Sequence, residues 1–343
     1  MKHLLNTLFV TTEDAVTSLD GENVVIRKGK EELGRFPLHI LQSIILFTWQ
    51  GATPSLMGKC AEEGINLCFC TPNGRFLART VGVTNGNVLL RKAQFRFSDD
   101  EKISCLYARN FIYGKVNNCR RVLDRAVRDH EYQIDKVRVS EASQKLLGLL
   151  PQIIEEISLD NLRGLEGAAA TIYFDVFNEL ILQNKKNFTF QGRSRRPPMD
   201  RVNALMSYIY TLLGNECASA LESVGLDSYV GFLHRDRPGR KSLSQDLIEE
   251  LRPCVADRFV LILINNRIVQ GDDFTIQKDG AVLIKDEARK LIHKAWQARK
   301  KEVIQHPFLN EKIEWGLIPY AQALLLARTI RGDIEEYPPF LWR

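Results

Sequence analysis

The stretch that decides how this chain folds is residues 162–180, LRGLEGAAATIYFDVFNEL. Its apolar side chains fall on one face of a helix and span about 160° of the helical wheel. Glu166 lies inside that arc and is its only charged member, while Gly164 and Gly167 would let another backbone approach closely. A buried carboxylate is costly unless it is paired or binds a metal ion. The segment therefore predicts a core helix that carries either a structural ion pair or a functional carboxylate.

The sequence on either side of this helix has two textures. Residues 1–95 show strand-like alternation with frequent glycines, and Asp20-Gly21 between residues 15–19 and 22–28 predicts a hairpin. One short helix is expected near residues 55–63. From Ser98 onward glycine and proline become sparse and helix-period stretches recur. They lie near residues 98–128, 140–155, 159–183, 199–223, 242–251, 285–303 and 316–332.

These textures predict an α+β, multidomain protein: an N-terminal β-sandwich-like domain at residues 1–95 and a larger, mainly α-helical domain at residues 96–343. With 343 residues, 45% of them hydrophobic and 26% charged, the chain has an ordinary globular composition, which excludes disorder. Within the helical part, apolar runs at residues 260–264 and 274–285, with Asp279-Gly280 in the second, predict a β-hairpin insert.

The sequence does not support a membrane-spanning protein or a protein stabilised by disulfide bonds. No apolar run approaches the roughly 20 residues of a membrane span, and the start of the chain reads as a strand rather than a cleaved leader. The seven cysteines are scattered, so we expect them to be small buried side chains in the cytoplasm.

A second segment, residues 231–253, supplies partners for Glu166. Ser242 and Gln245 match a capping box, which predicts a helix that starts at residue 243 and ends near residue 251, before Pro253.

The polar residues of this segment admit two interpretations. Asp246 and Glu249 share a helix face, but the wheel places Glu249 away from the leucine stripe, which is typical of a solvated acidic face. A histidine beside a Gly/Pro loop, such as His234, more often has a structural role than binds a metal ion. Together with Glu166, however, one imidazole and two or three carboxylates are a workable ligand set for Mg²⁺ or Mn²⁺.

Basic residues cluster beside these positions. The net charge of +5 allows a nucleic-acid partner without requiring one. Clusters occur at residues 185–201, where Phe188 and Phe190 interleave, at residues 235–241 and at residues 285–301. Each alone could be a solvated surface, but beside a metal site they suit a phosphodiester substrate. The candidate DNA-binding residues are Lys185, Lys186, Arg193, Arg195, Arg196, Arg201, Arg235, Arg237, Arg240, Lys241, Arg289 and Lys290.

Four blocks of this sequence, in order, resemble the CRISPR-associated integrase family, the nuclease of spacer acquisition. Residues 162–170 resemble its Gly-x-Glu-Gly helix, and residues 196–208 resemble its Pro-Pro-x-Asp-x-x-Asn-Ala-Leu-x-Ser segment. Residues 231–234 and 242–253 resemble its third block. The overall length and residues 337–340, Tyr-Pro-Pro-Phe, are similar to the subtype I-C branch.

The resemblance implies a divalent-metal site, with Mg²⁺ or Mn²⁺, formed by Glu166, His234 and Glu249, with Asp246 as an auxiliary acid. It implies strand transfer in which the 3′-hydroxyl of a foreign DNA fragment attacks a phosphodiester at the repeat border of a CRISPR array. The implied partners are double-stranded, branched or single-stranded DNA, a second copy of the chain in a homodimer, and a dimer of a small ferredoxin-like adaptation protein. The N-terminal domain would serve dimerisation and the helical domain catalysis.

Two alternatives use the same residues. A general metal-dependent DNA nuclease or resolvase would cut without joining, and a non-catalytic DNA-binding scaffold would carry an inactive site. The intact Glu166, His234 and Glu249 argue against the scaffold, whereas one site would serve both nuclease and integrase.

Overall fold

The chain forms two compact units that interleave along the sequence. The computed structural model describes residues 7–41, 43–71, 76–80, 82, 88–194 and 196–342. The first unit collects Met1–Asn85, Ile284–Val303 and Glu314–Leu317, and the second collects Gly86–Leu283, Ile304–Ile313 and Ile318–Arg343. The predicted boundary between two domains, between residues 95 and 96, stays a prediction. The units differ from it because a late segment returns to the first unit.

The first unit contains two small sheets. Its described elements are β1 (Thr7–Val10), β2 (Val16–Asp20), β3 (Asn23–Lys28), β4 (Glu31–Pro37), β5 (Ser43–Leu46), α1 (Pro54–Glu62), β6 (Asn66–Cys70) and β7 (Phe76–Arg79). One sheet has the order β1-β5-β6-β7, and the other is the antiparallel meander β2-β3-β4. Asp20 pairs with Asn23, which confirms the predicted hairpin. Val24 and Ile44, one from each sheet, lie in the same buried core, which confirms the sandwich-like prediction.

A helix from late in the sequence completes this unit. Helix α9 (Asp286–Lys300) buries Ile292 and Trp296 completely or nearly so. His293, 4% exposed, packs its ring against Phe47 with 4.6 Å between the ring centroids. The helix therefore contributes core side chains to a unit whose strands β1–β7 lie more than two hundred residues earlier in the sequence.

The second unit is mainly helical, as predicted. Its helices are α2 (Val88–Asp99), α3 (Glu101–His130), α4 (Lys136–Glu155), α5 (Leu159–Asp175), α6 (Arg201–Ser223), α7 (Ser242–Leu251), α8 (Arg258–Asn265) and α10 (Ile318–Arg331). Asp100 caps α3 by accepting hydrogen bonds from the backbone N–H groups of Lys102 and Ile103 at 2.9 and 3.1 Å. Helix α3 packs against α4, α5 and α7, so it forms the centre of the unit.

Two local predictions are wrong. Residues 260–264 lie in α8, because a short apolar run in a buried helix has the same composition as a strand. The hairpin is limited to β8 (Phe274–Ile276) and β9 (Val282–Ile284). Helix α7 starts at Ser242, whose hydroxyl donates to the Arg235 carbonyl at 3.2 Å instead of capping the helix.

Helix α7 ends at Leu251 as predicted, but the chain does not turn away there. A π-helical segment, Arg252–Asp257, carries it directly into α8. Pro253 has no backbone N–H to donate and lies at the start of this π-helical segment, where the regular α-helical hydrogen-bond pattern is interrupted.

All seven cysteines are buried thiols, which confirms their predicted packing role. Within the described ranges, every helix is too short or too polar to span a bilayer.

Candidate metal centre

The three predicted ligands converge in the second unit. Glu166 comes from α5, His234 from the loop before α7, and Glu249 from the last turn of α7. They line one pocket of about 420 Å³. The other lining residues are Arg163, Leu233, Arg235, Arg237 and Arg240.

Asp246 holds the loop that presents His234. Its carboxylate is fully buried and accepts hydrogen bonds from the backbone N–H groups of Phe232, Leu233 and His234 at 2.6, 3.0 and 3.0 Å. The same carboxylate lies 2.6 Å from Nδ1 of His234. When Nδ1 carries the proton of that hydrogen bond, Nε2 keeps its lone pair for a metal ion. Both oxygens of Asp246 are therefore already in use for positioning.

A glycine makes this arrangement possible. A Cβ at Gly231 would lie 2.9 Å from Oδ2 of Asp246 and 2.8 Å from Cβ of Ser242. The carboxylate can reach the loop N–H groups only because position 231 has no side chain. Gly164 and Gly167 play no such part, because nothing lies within 4 Å of a Cβ at either position, contrary to the expected backbone approach.

Glu249 is buried, 3% exposed, which shows that the solvated-face interpretation from the helical wheel is wrong. Its Oε1 lies 3.1 Å from Nη2 of Arg252, and its Oε2 lies 2.8 Å from Nζ of Lys115. Lys115, on α3, also pairs with Oε1 of Glu166. Burial opposes the ionisation of Glu249, but Arg252 and Lys115 outweigh it and lower its pKa to about 2. Glu249 is therefore a carboxylate at neutral pH.

The donor set fits a hard divalent cation. Two carboxylates and one imidazole are typical ligands of Mg²⁺ or Mn²⁺. Oε2 of Glu249 is buried and accepts no hydrogen bond of normal geometry, and the cation that faces it is the Lys115 ammonium group at 2.8 Å. In the part of the chain that the structure describes, however, no three His, Cys, Asp or Glu side chains are arranged to hold a metal ion. An ion bound by Glu166 and Glu249 would take the place that Nζ of Lys115 holds.

The mouth of the pocket is positively charged. Arg163 donates to the Leu233 carbonyl at 2.7 Å and pairs with Asp160 at 2.6 Å. Partial burial and the nearby guanidinium groups of Arg237 and Arg163 lower the pKa of Arg240. A cluster of like charges that lowers a guanidinium pKa is a favourable place for an anion.

A family model described as CRISPR associated protein Cas1 matches residues 8–298 of this chain. The chain belongs to the Cas1 family. This confirms the resemblance seen in the four sequence blocks, while the subtype I-C assignment stays a prediction.

Full-length relatives in the family are close. A protein from Chlorobaculum tepidum named CRISPR-associated endonuclease Cas1 1 is 48% identical over 343 residues, covering 100% of both chains. One from Rhodospirillum rubrum, named CRISPR-associated endonuclease Cas1 2, is 49% identical over 348 residues, again covering 100% of both.

Solved structures share the Cas1 fold. A casposase bound to an integration product matches with a TM-score of 0.81 and 22% identity, covering 99% of this chain and 95% of that one. A Cas6-RT-Cas1–Cas2 complex matches with a TM-score of 0.78 and 21% identity, covering 98% of this chain and 36% of that one. In the casposase an N-terminal β domain is followed by a helical domain, as here.

The predicted DNA-binding residues fall into three groups. Arg235, Arg237 and Arg240 line the pocket, and Lys185, Lys186, Arg196 and Lys290 are exposed. The others are at least partly engaged within the protein, or lie outside the described residues in one case. Arg193 donates to Asn203, and Arg201 donates to Gly271. Arg289 is 5% exposed and pairs with Asp286. Lys241 is half-buried, and Arg195 lies outside the described residues. The assignments stay predictions.

Phe188 and Phe190 offer no stacking surface for bases. They are 1% and 3% exposed and pack against Phe274 and Phe177. Their interleaving with lysine and arginine reflects a core strip beside a charged surface.

Sequence reasoning missed Lys115, Arg163 and Arg252. A signal for Lys115 was present, because it follows Phe111 and precedes Cys119 by four residues on the buried face of α3. The same argument that selected Glu166, a charge on an apolar helix face, selects Lys115.

Proposed function

We propose that this chain is a CRISPR-associated DNA nuclease and integrase, which joins the 3′-hydroxyl ends of foreign DNA fragments to the repeat of a CRISPR array. Membership of the Cas1 family and the endonuclease names of its full-length relatives support this proposal. The observation that carries it is the convergence of Glu166, His234 and Glu249 in one arginine-lined pocket.

Glu166, His234 and Glu249 would hold a Mg²⁺ or Mn²⁺ ion. The ion would polarise the scissile phosphate and stabilise the departing 3′-oxygen. Asp246 keeps His234 in the tautomer that leaves Nε2 available, as its 2.6 Å contact with Nδ1 indicates. Arg163, which anchors on the Leu233 carbonyl, would bind a phosphate next to the reacting one. The attacking group is a DNA 3′-hydroxyl or water, so no protein nucleophile is needed.

The proposed assembly is a homodimer that works on DNA with a dimer of a small ferredoxin-like adaptation protein. The shared fold with a chain from a Cas6-RT-Cas1–Cas2 complex and with a casposase bound to an integration product supports DNA and a second CRISPR-associated protein as partners. The homodimer and the ferredoxin-like fold of the partner are the finer part of the proposal. The first unit, with its sandwich of sheets, is the proposed dimerisation domain.

Strand transfer tests the proposal. Purified protein and its adaptation partner are incubated with a plasmid carrying a CRISPR repeat, a short duplex and Mn²⁺, and covalent joining is measured. Glu166→Gln should abolish joining and cutting, because the amide removes one anionic ligand from the proposed metal site. Glu141→Gln, the same exchange at an exposed position of α4, is the matched control and should leave both unchanged. Cuts without joining would favour the general nuclease, and full activity of Glu166→Gln would refute the metal site.

A further inference from the structure

Lys115 occupies the position that both carboxylates would offer to a metal ion. It is 7% exposed and lies in the central helix α3. Its Nζ pairs with Oε1 of Glu166 on α5 and lies 2.8 Å from Oε2 of Glu249 on α7. One ammonium group thus bridges two helices at the base of the pocket.

The charges at this base already balance. Within the ion pairs, Glu166 and Glu249 carry two negative charges, and Lys115 and Arg252 carry two positive ones. Arg252 is fixed, because it pairs with Oε1 of Glu249 at 3.1 Å and stacks on the ring of Tyr210 at 5.0 Å. The Lys115 ammonium group is carried by a flexible four-carbon chain, so it is the cation that can move.

A divalent ion that entered this balanced set of ion pairs would lie below Arg237 and Arg240, whose two positive charges outnumber the one negative charge of Asp246. The ion would therefore meet net repulsion. A DNA phosphate reverses the balance, because it neutralises the arginines and offers the Lys115 ammonium group a new partner. The metal and the DNA therefore favour each other's binding.

We propose that Lys115 is a resting counter-ion that couples metal binding to DNA binding. The metal ion displaces the ammonium group from Glu166 and Glu249, and the group moves, still protonated, to a DNA phosphate. This inference rests on the proposed function, because it takes these two glutamates as metal ligands and DNA as the substrate. By linkage, DNA raises the affinity for metal by the same factor as metal raises the affinity for DNA.

Mn²⁺ binding, measured by electron paramagnetic resonance, tests the coupling without turnover. The DNA is a duplex ending in dideoxynucleotides, which lacks the attacking hydroxyl, and Mn²⁺ held by DNA alone is subtracted with Glu166→Gln. In the parent, DNA should raise Mn²⁺ affinity on the order of tenfold. Lys115→Met, which removes the charge and keeps the apolar stem, should bind Mn²⁺ without DNA about as tightly as the parent does with DNA. Lys102→Met, an exposed lysine of the same helix, should behave as the parent.

Three results would overturn the inference. One is a Lys115→Met protein that keeps the parent's response to DNA, and another is one that binds Mn²⁺ more weakly than the parent when DNA is absent. The third result applies if circular dichroism shows that Lys115→Met does not fold. It is a Mn²⁺ affinity of the parent protein that does not change when DNA is added. Binding of Mn²⁺ by the parent no better than by Glu166→Gln would instead refute the metal site of the proposed function, and this inference with it.

Discussion

Replacing Asp246 with asparagine should separate the folding role of this residue from its effect on metal binding. The carboxylate accepts three backbone hydrogen bonds and contacts the ring of His234, and it does so without exposure to solvent. Asparagine has nearly the same shape, but one of its two polar atoms is a donor. At least one backbone N–H must then face an NH₂ group.

The expected losses follow from those contacts. A hydrogen bond to a charged acceptor contributes about 1.5–3 kcal/mol, so Asp246→Asn should lower the free energy of unfolding by about 2–4 kcal/mol. An NH₂ group placed against Nδ1 of His234 also forces the proton to Nε2, which removes the lone pair that a metal needs. Loss of such a supporting partner typically weakens metal affinity 10- to 100-fold.

Two measurements check the two effects. Urea unfolding in the presence of a chelator gives the free energy, and calorimetric titration with Mn²⁺ gives the affinity. Asp236→Asn, the same exchange at an exposed position of the same loop, is the matched control and should change neither. Parent-like Mn²⁺ affinity in Asp246→Asn would refute the orienting role, and a loss of stability no larger than the control's would refute the loop-holding role.

Three further outcomes are expected. Burial and nearby positive charge lower the pKa of His293 to about 3, so the native state resists its protonation, and stability present above pH 6.5 is lost as the pH falls. Between pH 6.5 and about 4.5, this group should lower the free energy of unfolding by about 2–3 kcal/mol. In urea-unfolding curves measured over this pH range, His293→Phe should lack that loss of stability. The same loss in His293→Phe as in the parent would contradict the lowered pKa. Asn118→Ala should cost about 2–4 kcal/mol of unfolding free energy, because its buried side chain makes three hydrogen bonds that tie α3 to α7 and the C-terminal segment; the half-exposed Asn117→Ala should cost less than about 1 kcal/mol, and equal costs would contradict the clamp. Arg237→Gln should reduce the slope of DNA affinity against salt by about 1, whereas Arg128→Gln, an exposed arginine of α3, should leave it unchanged; equal effects on the slope would contradict a specific contact at the pocket mouth.

The sequence located Glu166 because one charge broke an otherwise apolar helix face. It misplaced Glu249 for a physical reason: a helical wheel assumes that a helix has a wet side. Helix α7 is enclosed by its neighbours, with nine of its ten residues buried, so the angle from the leucine stripe carries no information about exposure. Only the resemblance to a known family corrected that assignment.

Other misses arose because short patterns are ambiguous. Residues 260–264 are apolar and largely β-branched, which suits a strand and a buried helix alike. Lys115 was within reach of the argument used for Glu166, but its pairing with two distant helices was not, because it depends on which faces of α3, α5 and α7 meet. The return of α9 to the first unit left no local signal at all.

That return sets the order in which the protein can be completed during synthesis. The strands of the first unit leave the ribosome early, but their core is finished only when Ile284–Val303 follows, roughly two hundred residues after Asn85. At 5–20 residues per second, the nascent domain waits roughly 10–40 seconds with the surface that receives Trp296 uncovered. In that interval the domain is a client for chaperones, and a fragment cut at residue 95 would remain one permanently.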